Sequence, residues 1–524
     1  MPLRNVLISA AITFISPLAT ADDLIAAAQV EVREVLAKAG DNRLELEKVI
    51  RHYGNSDDSI KLAAVNFLIA NMDGHGYVVF ALFDEAGTEI AFDNARYINY
   101  ESLLVAWDQL ELSHPGLDFK KKILVDDVDT ITADFLIENI DLAFRAWSEK
   151  PWARNLSFDD FCDYVLPYRG SNEPLESWRQ YFLDKYNGLP LQMTNPNDAM
   201  EAARIINTDV MTYFKFDPRY YYHPTDQGLA EMLSAHFGRC EDMTNITIYA
   251  MRANGLAVTS DYTPYWANSG NNHAWNAILT AQGQVVPFMG AEANPGEYSL
   301  WNKLAKVYRK MYSKQPENLI FQSRKQEKVP AWLAGKSYRD VTSDYVKTSE
   351  VRLTLEIPPP DTVDVAYICV FNDGQWKPIH WGRIDNGAVS FTDMGMGISY
   401  LPAYYVTEDS LECAGSPFIL EDGGNRAILK GLSGDSISAK LFSTTTKVQQ
   451  TSTDGVQNVF FTAGQWYELF YWSGSWQSLG RRIANGGPLI FEKIPSGRLY
   501  WLVADSSDRD ERIFTIVDGK QVWW

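Results

Sequence analysis

The sequence predicts an α+β fold: a helical N-terminal region, a mixed helix-and-strand core, and two β-sandwich-like modules in tandem. Three observations predict it. Apolar residues recur at three- and four-residue spacing through the front, the period shortens to two beyond Leu256, and an aromatic pattern near the end occurs twice. At 524 residues the chain exceeds what one core can use, so several domains are expected. The expected boundaries are 1–21 for an export signal, 22–150 for the helical region, 151–345 for the core, and 346–430 and 431–524 for the two β modules.

The first residues read as a basic start (Arg4), an apolar stretch from Val6 to Leu18, and Ala19-Thr20-Ala21 before Asp22-Asp23. That is the pattern of a cleaved secretory signal, which predicts a periplasmic or extracellular protein. No cysteine follows the apolar stretch to carry a lipid, and no later segment reads as a membrane span. Leu24, Ala28, Val32 and Val35 then mark a helix closed by Gly40-Asp41-Asn42, and Ser56-Asp57-Asp58 is an N-cap cluster for the next one. Further on, Thr225 to Phe237 reads as a helix ended by Gly238, and Glu241 to Asn254 as another. Leu256 to Tyr262, His273 to Thr280 and Gln284 to Phe288 read as strands, the last two joined by a turn at Gln282-Gly283. Tyr298 to Tyr312 is expected to return to helix.

The β modules rest on a repeat. Tyr367-Ile-Cys-Val-Phe-Asn-Asp-Gly-Gln-Trp376 matches Tyr467-Glu-Leu-Phe-Tyr-Trp-Ser-Gly-Ser-Trp476, each copy is followed by Arg-Ile-x-Asn-Gly, and Phe391 and Tyr400 answer Phe491 and Tyr500. Alternating strands between Gly-containing turns fit small β-sandwich modules. Their aromatic residues are expected either to contact glycans or to fill hairpin cores.

A net charge of −20 without a basic run argues against nucleic acid as a partner. The four cysteines, Cys162, Cys240, Cys369 and Cys413, have no CxxC pair, so neither a metal nor another cofactor is implied. Cys369 and Cys413 fall in one module, where they either pair or stay as buried thiols. Cys162 reads as core.

The chemistry concentrates in His236-Phe-Gly-Arg-Cys240-Glu-Asp-Met-Thr-Asn245. Gly238 ends one helix and Cys240 opens the next, where unpaired N–H groups and the helix dipole favour a thiolate. The matching base is His273 in Asn271-Asn-His-Ala-Trp-Asn276, placed at a strand entrance. Trp275 shares its face by strand alternation and is expected to shield the pair from water. Trp275, Asn272 and Trp266 are the expected substrate-binding residues. Asp242 is expected to cap the helix.

Gly238-x-Cys240-x-Asp242 followed by His273-x-Trp275 resembles the transglutaminase-like, papain-related superfamily of transglutaminases, bacterial proteases and peptide N-glycanases. The chain also resembles exported transglutaminase-like proteins of gut Bacteroidetes, in which a helical front, this core and trailing β modules occur together. The resemblance implies a thiolate–imidazolium pair, an acyl-enzyme, and release by water or an amine. It also implies an orienting Asp after a Pro-x step, but Val285-Val-Pro-Phe288 runs into Met289 at that place. Glu292 is the expected substitute, with Asn294 or a backbone carbonyl as alternatives. The Cys240 N–H is one expected oxyanion donor. The segment 166–174 is expected to be a plain surface loop, with Asn172 in it or Trp178 just beyond it as the alternative second donor.

The resulting expectation is an exported cysteine hydrolase or acyl transferase acting on peptide, glycopeptide or cell-wall peptide substrates. The competing one is a peptide- or glycan-binding protein that keeps the fold without the chemistry.

Overall fold

The computed structural model describes residues 29–54, 58–280, 282–323, 328–407, 410–431, 434–446, 458–505, 507 and 511–524. The expected export signal, with Leu24, Ala28, Ser56 and Asp57, lies outside the described residues. The chain divides into two compact units: Met1–Asp209 with Tyr213–Val258, and Val210–Thr212 with Thr259–Trp524.

In the first unit, helices α1 (Val30–Lys38), α2 (Arg43–Gly54) and α3 (Ser59–Asn71) bury Val32, Val35, Leu46, Val49, Leu68 and Ile69. Asp58 caps α3 by accepting from the Lys61 N–H at 3.3 Å. Strands β1 (Gly76–Phe83), β2 (Glu89–Ile90) and β3 (Asp118–Asp126) form a sheet of order β2-β1-β3, a feature the helical spacing gave no sign of. Helices α4 (Tyr100–Ser113), α5 (Ala133–Glu149), α6 (Phe158–Tyr164), α7 (Arg179–Lys185) and α8 (Ala199–Tyr213) follow. Next come strand β4 (Lys215–Phe216), helix α9 (Leu229–Ala235), strand β5 (Phe237–Gly238) and helix α10 (Cys240–Ala253). The helix expected over Thr225 to Phe237 is thus shorter at both ends. His236 turns left-handed at φ 62°, and Phe237–Gly238 pairs in parallel with Lys215–Phe216, so tertiary pairing claims residues that local propensity leaves helical.

The second unit opens with a sheet of strands β6 (Val258–Thr263), β7 (His273–Leu279), β8 (Val285–Phe288), β9 (Tyr308–Lys310) and β10 (Tyr338–Asp340), in the order β10-β9-β6-β7-β8. Pro287 stands on β8 at the sheet edge, where its missing N–H costs no ladder bond. Tyr298 to Tyr312 is not the expected helix. Its one regular piece is β9, which pairs with β6 and β10, and the buried Lys306 ammonium fixes the stretch by donating to Asp340 and to the carbonyls of Thr392 (2.7 Å) and Asp393 (3.0 Å).

The repeat is structural. The first copy runs β11 (Thr348–Thr354), β12 (Val365–Asn372), β13 (Gln375–Asp385), β14 (Ala388–Gly395) and β15 (Ile398–Thr407), continued by β16 (Ser410–Cys413), β17 (Phe418–Leu420) and β18 (Arg426–Ile428). The second runs β19 (Ser436–Leu441), β20 (Trp466–Trp472), β21 (Trp476–Ile483), β22 (Leu489–Pro495) and β23 (Tyr500–Ala504), then β24 (Ile513–Val517) and β25 (Lys520–Trp523). Tyr400 donates to the Gly395 carbonyl, and Tyr500 makes the same bond to Pro495. Strand β12 feeds two cores by alternation: Ala366, Ile368 and Val370 face one, while Val365, Tyr367, Cys369 and Phe371 face the other. That second core also holds Tyr308, Tyr338, Trp472, Leu499 and Ile513, so the core sheet and both copies share it. Cys369 and Cys413 are free thiols. Strand β15 lies between theirs, so two strand spacings of about 4.8 Å part the backbones, beyond disulfide reach.

Candidate functional site

Cys240 belongs to the first unit. Helix α9 stops at His236, whose ring Nδ1 hydrogen-bonds the Tyr213 carbonyl at 3.0 Å. Beyond β5, Arg239 is the N-cap of α10 and Cys240, half-buried, is its first residue. Gly238 and Asp242 explain each other. Asp242 Oδ2 accepts from the Arg239 N–H (2.9 Å) and Oδ1 from the Gln227 N–H (3.0 Å), so the expected cap also ties down the segment before α9. A methyl on Gly238 would lie 2.5 Å from Asp242 Cβ and 2.8 Å from the Phe214 ring, so only glycine fits. Burial pushes the Asp242 carboxyl up to about 6, opposed by the Arg239 guanidinium. Arg239 in turn pairs with Asp226 at 2.6 Å.

The segment 166–174, expected as a surface loop, is largely buried, and two arginines make that possible. Arg179 Nη2 donates to the carbonyls of Val165 (2.6 Å), Leu166 (2.9 Å) and Pro167 (3.2 Å). Arg252, from α10, donates to the Arg169 carbonyl at 2.6 Å. Glu173 accepts the Gly170 and Ser171 N–H groups, both at 2.7 Å. A buried loop needs each backbone group paired, and here side chains from other elements do it. Trp178 is excluded as a free oxyanion donor, because its indole N–H goes to the Tyr168 carbonyl at 3.0 Å. Asn172 is exposed.

His273 belongs to the second unit, at the first position of β7. Its ring lies between aromatic neighbours: Trp266 stacks at a centroid distance of 5.8 Å and 28°, and Trp275 is tilted at 5.8 Å and 33°. Its Nε2 hydrogen-bonds the Tyr298 hydroxyl at 2.7 Å. Trp275 is fully buried, and its N–H donates to Tyr345 (2.9 Å), which donates to Asp261 (2.6 Å), which Arg309 grips with two bonds of 2.9 and 2.8 Å. Trp275 is therefore a fixed support under the imidazole and not a substrate contact, because no face of it reaches solvent. Trp266 is 7% exposed, and Asn272 is exposed beside it.

Beyond β8, Met289 is buried and bridges Ala293, and Asn276 Oδ1 accepts the Gly290 N–H at 3.0 Å to hold that turn. Glu292 is exposed on the same turn, and its N–H donates to the Met289 carbonyl at 3.2 Å. Asn294 follows, partly buried. Tyr298 is the residue that sequence reasoning missed. A phenol carries no motif, and the sequence placed Tyr298 at the start of an expected helix, so no signal singled it out. Burial pushes the thiols of Cys162, Cys369 and Cys413 above the ordinary range, which leaves Cys240 as the thiol to examine for reactivity. The hairpin tryptophans Trp376 and Trp472 are buried at 5.7 Å from each other, as core filling predicts, while Trp466 is 44% exposed.

Residues 189–288 match the model of the transglutaminase-like superfamily, and this segment contains both Cys240 and His273. The chain therefore carries a transglutaminase-like domain. Among curated proteins, none matches the chain.

Proposed function

Given a transglutaminase-like domain, we propose that the protein is an exported cysteine amide hydrolase, with Cys240 as nucleophile and His273 as its base. The observation that carries this is the placement of a half-buried Cys240 at the first residue of a 14-residue helix. There the helix dipole and the N–H groups of the first turn stabilise a thiolate. In this reading His273 takes the thiol proton through Nδ1, since Nε2 is engaged by Tyr298. The thiolate attacks an amide carbon, the Cys240 N–H helps to hold the oxyanion, and the imidazolium returns the proton to the departing amine. Water, activated by the neutral imidazole, then cleaves the thioester. Peptides, glycopeptides and cell-wall peptides are the proposed substrates, met outside the cytoplasm if the segment from Arg4 to Ala21 is a cleaved signal.

Iodoacetamide labelling, mapped to Cys240 across pH 5–9, tests the pairing. The expected result is a reactive plateau reaching below pH 7 in the wild type, with His273→Ala returning the profile to that of an ordinary thiol near pH 8.5. Cys240→Ala then abolishes amine release from peptide amides. The binding-protein reading is favoured by the buried Met289 where the family places an acid, and an ordinary wild-type thiol profile would establish it over the enzyme.

A further inference from the structure

The loop that leads into His273, Trp266 to Asn271, is held by side chains from both β copies. Asn372, the last residue of β12 and 2% exposed, directs its amide at three carbonyls of the loop: Trp266 (3.0 Å), Ser269 (2.9 Å) and Asn271 (2.9 Å). Arg512, 3% exposed beside β24, donates to the carbonyls of Ala267 (2.7 Å) and Ser269 (3.4 Å), and also to that of Trp524 (3.2 Å). Its guanidinium lies 5.8 Å from the Phe371 ring, next to Asn372 in the chain. The loop is otherwise tied to Lys303, whose carbonyl accepts the Ala267 N–H (3.1 Å) and whose N–H donates to Asn268 (2.7 Å).

These bonds bear on the imidazole in two ways. Trp266, whose carbonyl Asn372 holds, stacks on the His273 ring. Asn271, two residues before His273, is left-handed at φ 69°, a conformation that asparagine adopts more readily than other non-glycine residues, and the Asn372 amide holds its carbonyl there. The repeat supplies an independent sign. Asn372 stands where the second copy has Trp472, so the first copy departs from the aromatic pattern at the residue that reaches the loop.

We propose that Asn372 and Arg512 are positioning residues for His273, and that the tandem β copies thereby serve the reaction centre and are not spacers. This rests on the reading of His273 as the base of Cys240. Both residues act through the loop backbone.

The test is the pH profile of Cys240 alkylation by iodoacetamide in the full-length protein, compared among wild type, His273→Ala, Asn372→Asp, Arg512→Gln and Arg512→Lys. Asn372→Asp keeps the shape and removes both donor hydrogens. A loosened imidazole is expected to raise the apparent thiol pKa by about one unit, and so to lower the rate at pH 6 about 10-fold, in Asn372→Asp and Arg512→Gln. Arg512→Lys keeps the charge and a single donor nitrogen in place of the guanidinium fork, and is expected to recover part of the loss. A purely structural role would lower the melting temperature and leave the pH profile of the folded fraction at that of the wild type, which overturns the proposal. Should Asn372→Asp fail to fold, the Gln and Lys variants at Arg512 decide by the same criterion. A wild-type profile identical to that of His273→Ala overturns the pairing itself, and this proposal with it. A wild type that differs from His273→Ala while the positioning variants match the wild type overturns this proposal alone.

Discussion

At the scale of single residues, the imidazole of His273 is defined by what surrounds it. Trp266 and Trp275 restrict its plane, and Tyr298 fixes Nε2 at 2.7 Å. A phenol holds a ring as a carboxylate does but supplies no negative charge to stabilise the imidazolium, so the pair should be less biased toward thiolate than one with an Asp. Tyr298→Phe removes one hydrogen bond and no volume. The expected outcome is a several-fold lower alkylation rate of Cys240 at pH 6, with stability reduced by about 1 kcal/mol, measured by labelling and by urea unfolding. An unchanged profile would show that Tyr298 only packs. Cys240 and His273 could be picked out in the sequence because a helix start and a strand start are local patterns. Tyr298 could not, because its partner lies on a different segment.

At the scale of elements, the start of α10 depends on Gly238 and Asp242 fitting together. Gly238→Ala brings a methyl to 2.5 Å from Asp242 Cβ, and overpacking of this kind costs about 1–3 kcal/mol, readable as a lower denaturant midpoint. Asp242 also gives α10 a pH dependence. Its carboxyl is raised from 3.8 to about 6 by burial, so between those values the folded protein keeps a proton that the unfolded chain has released. Its contribution therefore favours folding below that window and is lost as pH rises through it, by at most about 3 kcal/mol. Asp242→Asn lacks the titration. The melting temperature of the wild type minus that of the variant should fall between pH 4 and pH 6 and level off above, and a constant difference would contradict the shift. The helix itself was readable from Glu241 to Asn254, whereas α9 was overextended because the pairing of β5 with β4 is invisible to helical periodicity.

At the scale of the whole molecule, the domain boundary expected at 430 crosses a shared interior. Trp472, Leu499 and Ile513 pack with Val365, Tyr367 and Leu401 in one cluster. Deleting residues 431–524 would expose that face of β12, and each large apolar side chain uncovered costs roughly 1.5–3 kcal/mol. The expected result in calorimetry is a melting temperature well below that of the full chain, or aggregation on size exclusion. A truncated protein that melts with the wild type would mean the copies are independent after all. The net charge of −20 is a property of the whole chain that sequence gives directly.

What the sequence determined by itself was local: the glycine, cysteine and aspartate of a helix start, the histidine of a strand start, and the alternation repeated in the two β copies. Each depends on residues within a few positions of one another, so spacing alone carries the information. The tertiary structure decided which distant groups meet. It put Tyr298 on His273, buried the segment 166–174 under Arg179 and Arg252, and set Asn372 and Arg512 against the loop before β7. The reason is that buried carbonyls and ring nitrogens must find partners wherever the fold brings donors, and chain distance leaves no periodic trace of that requirement.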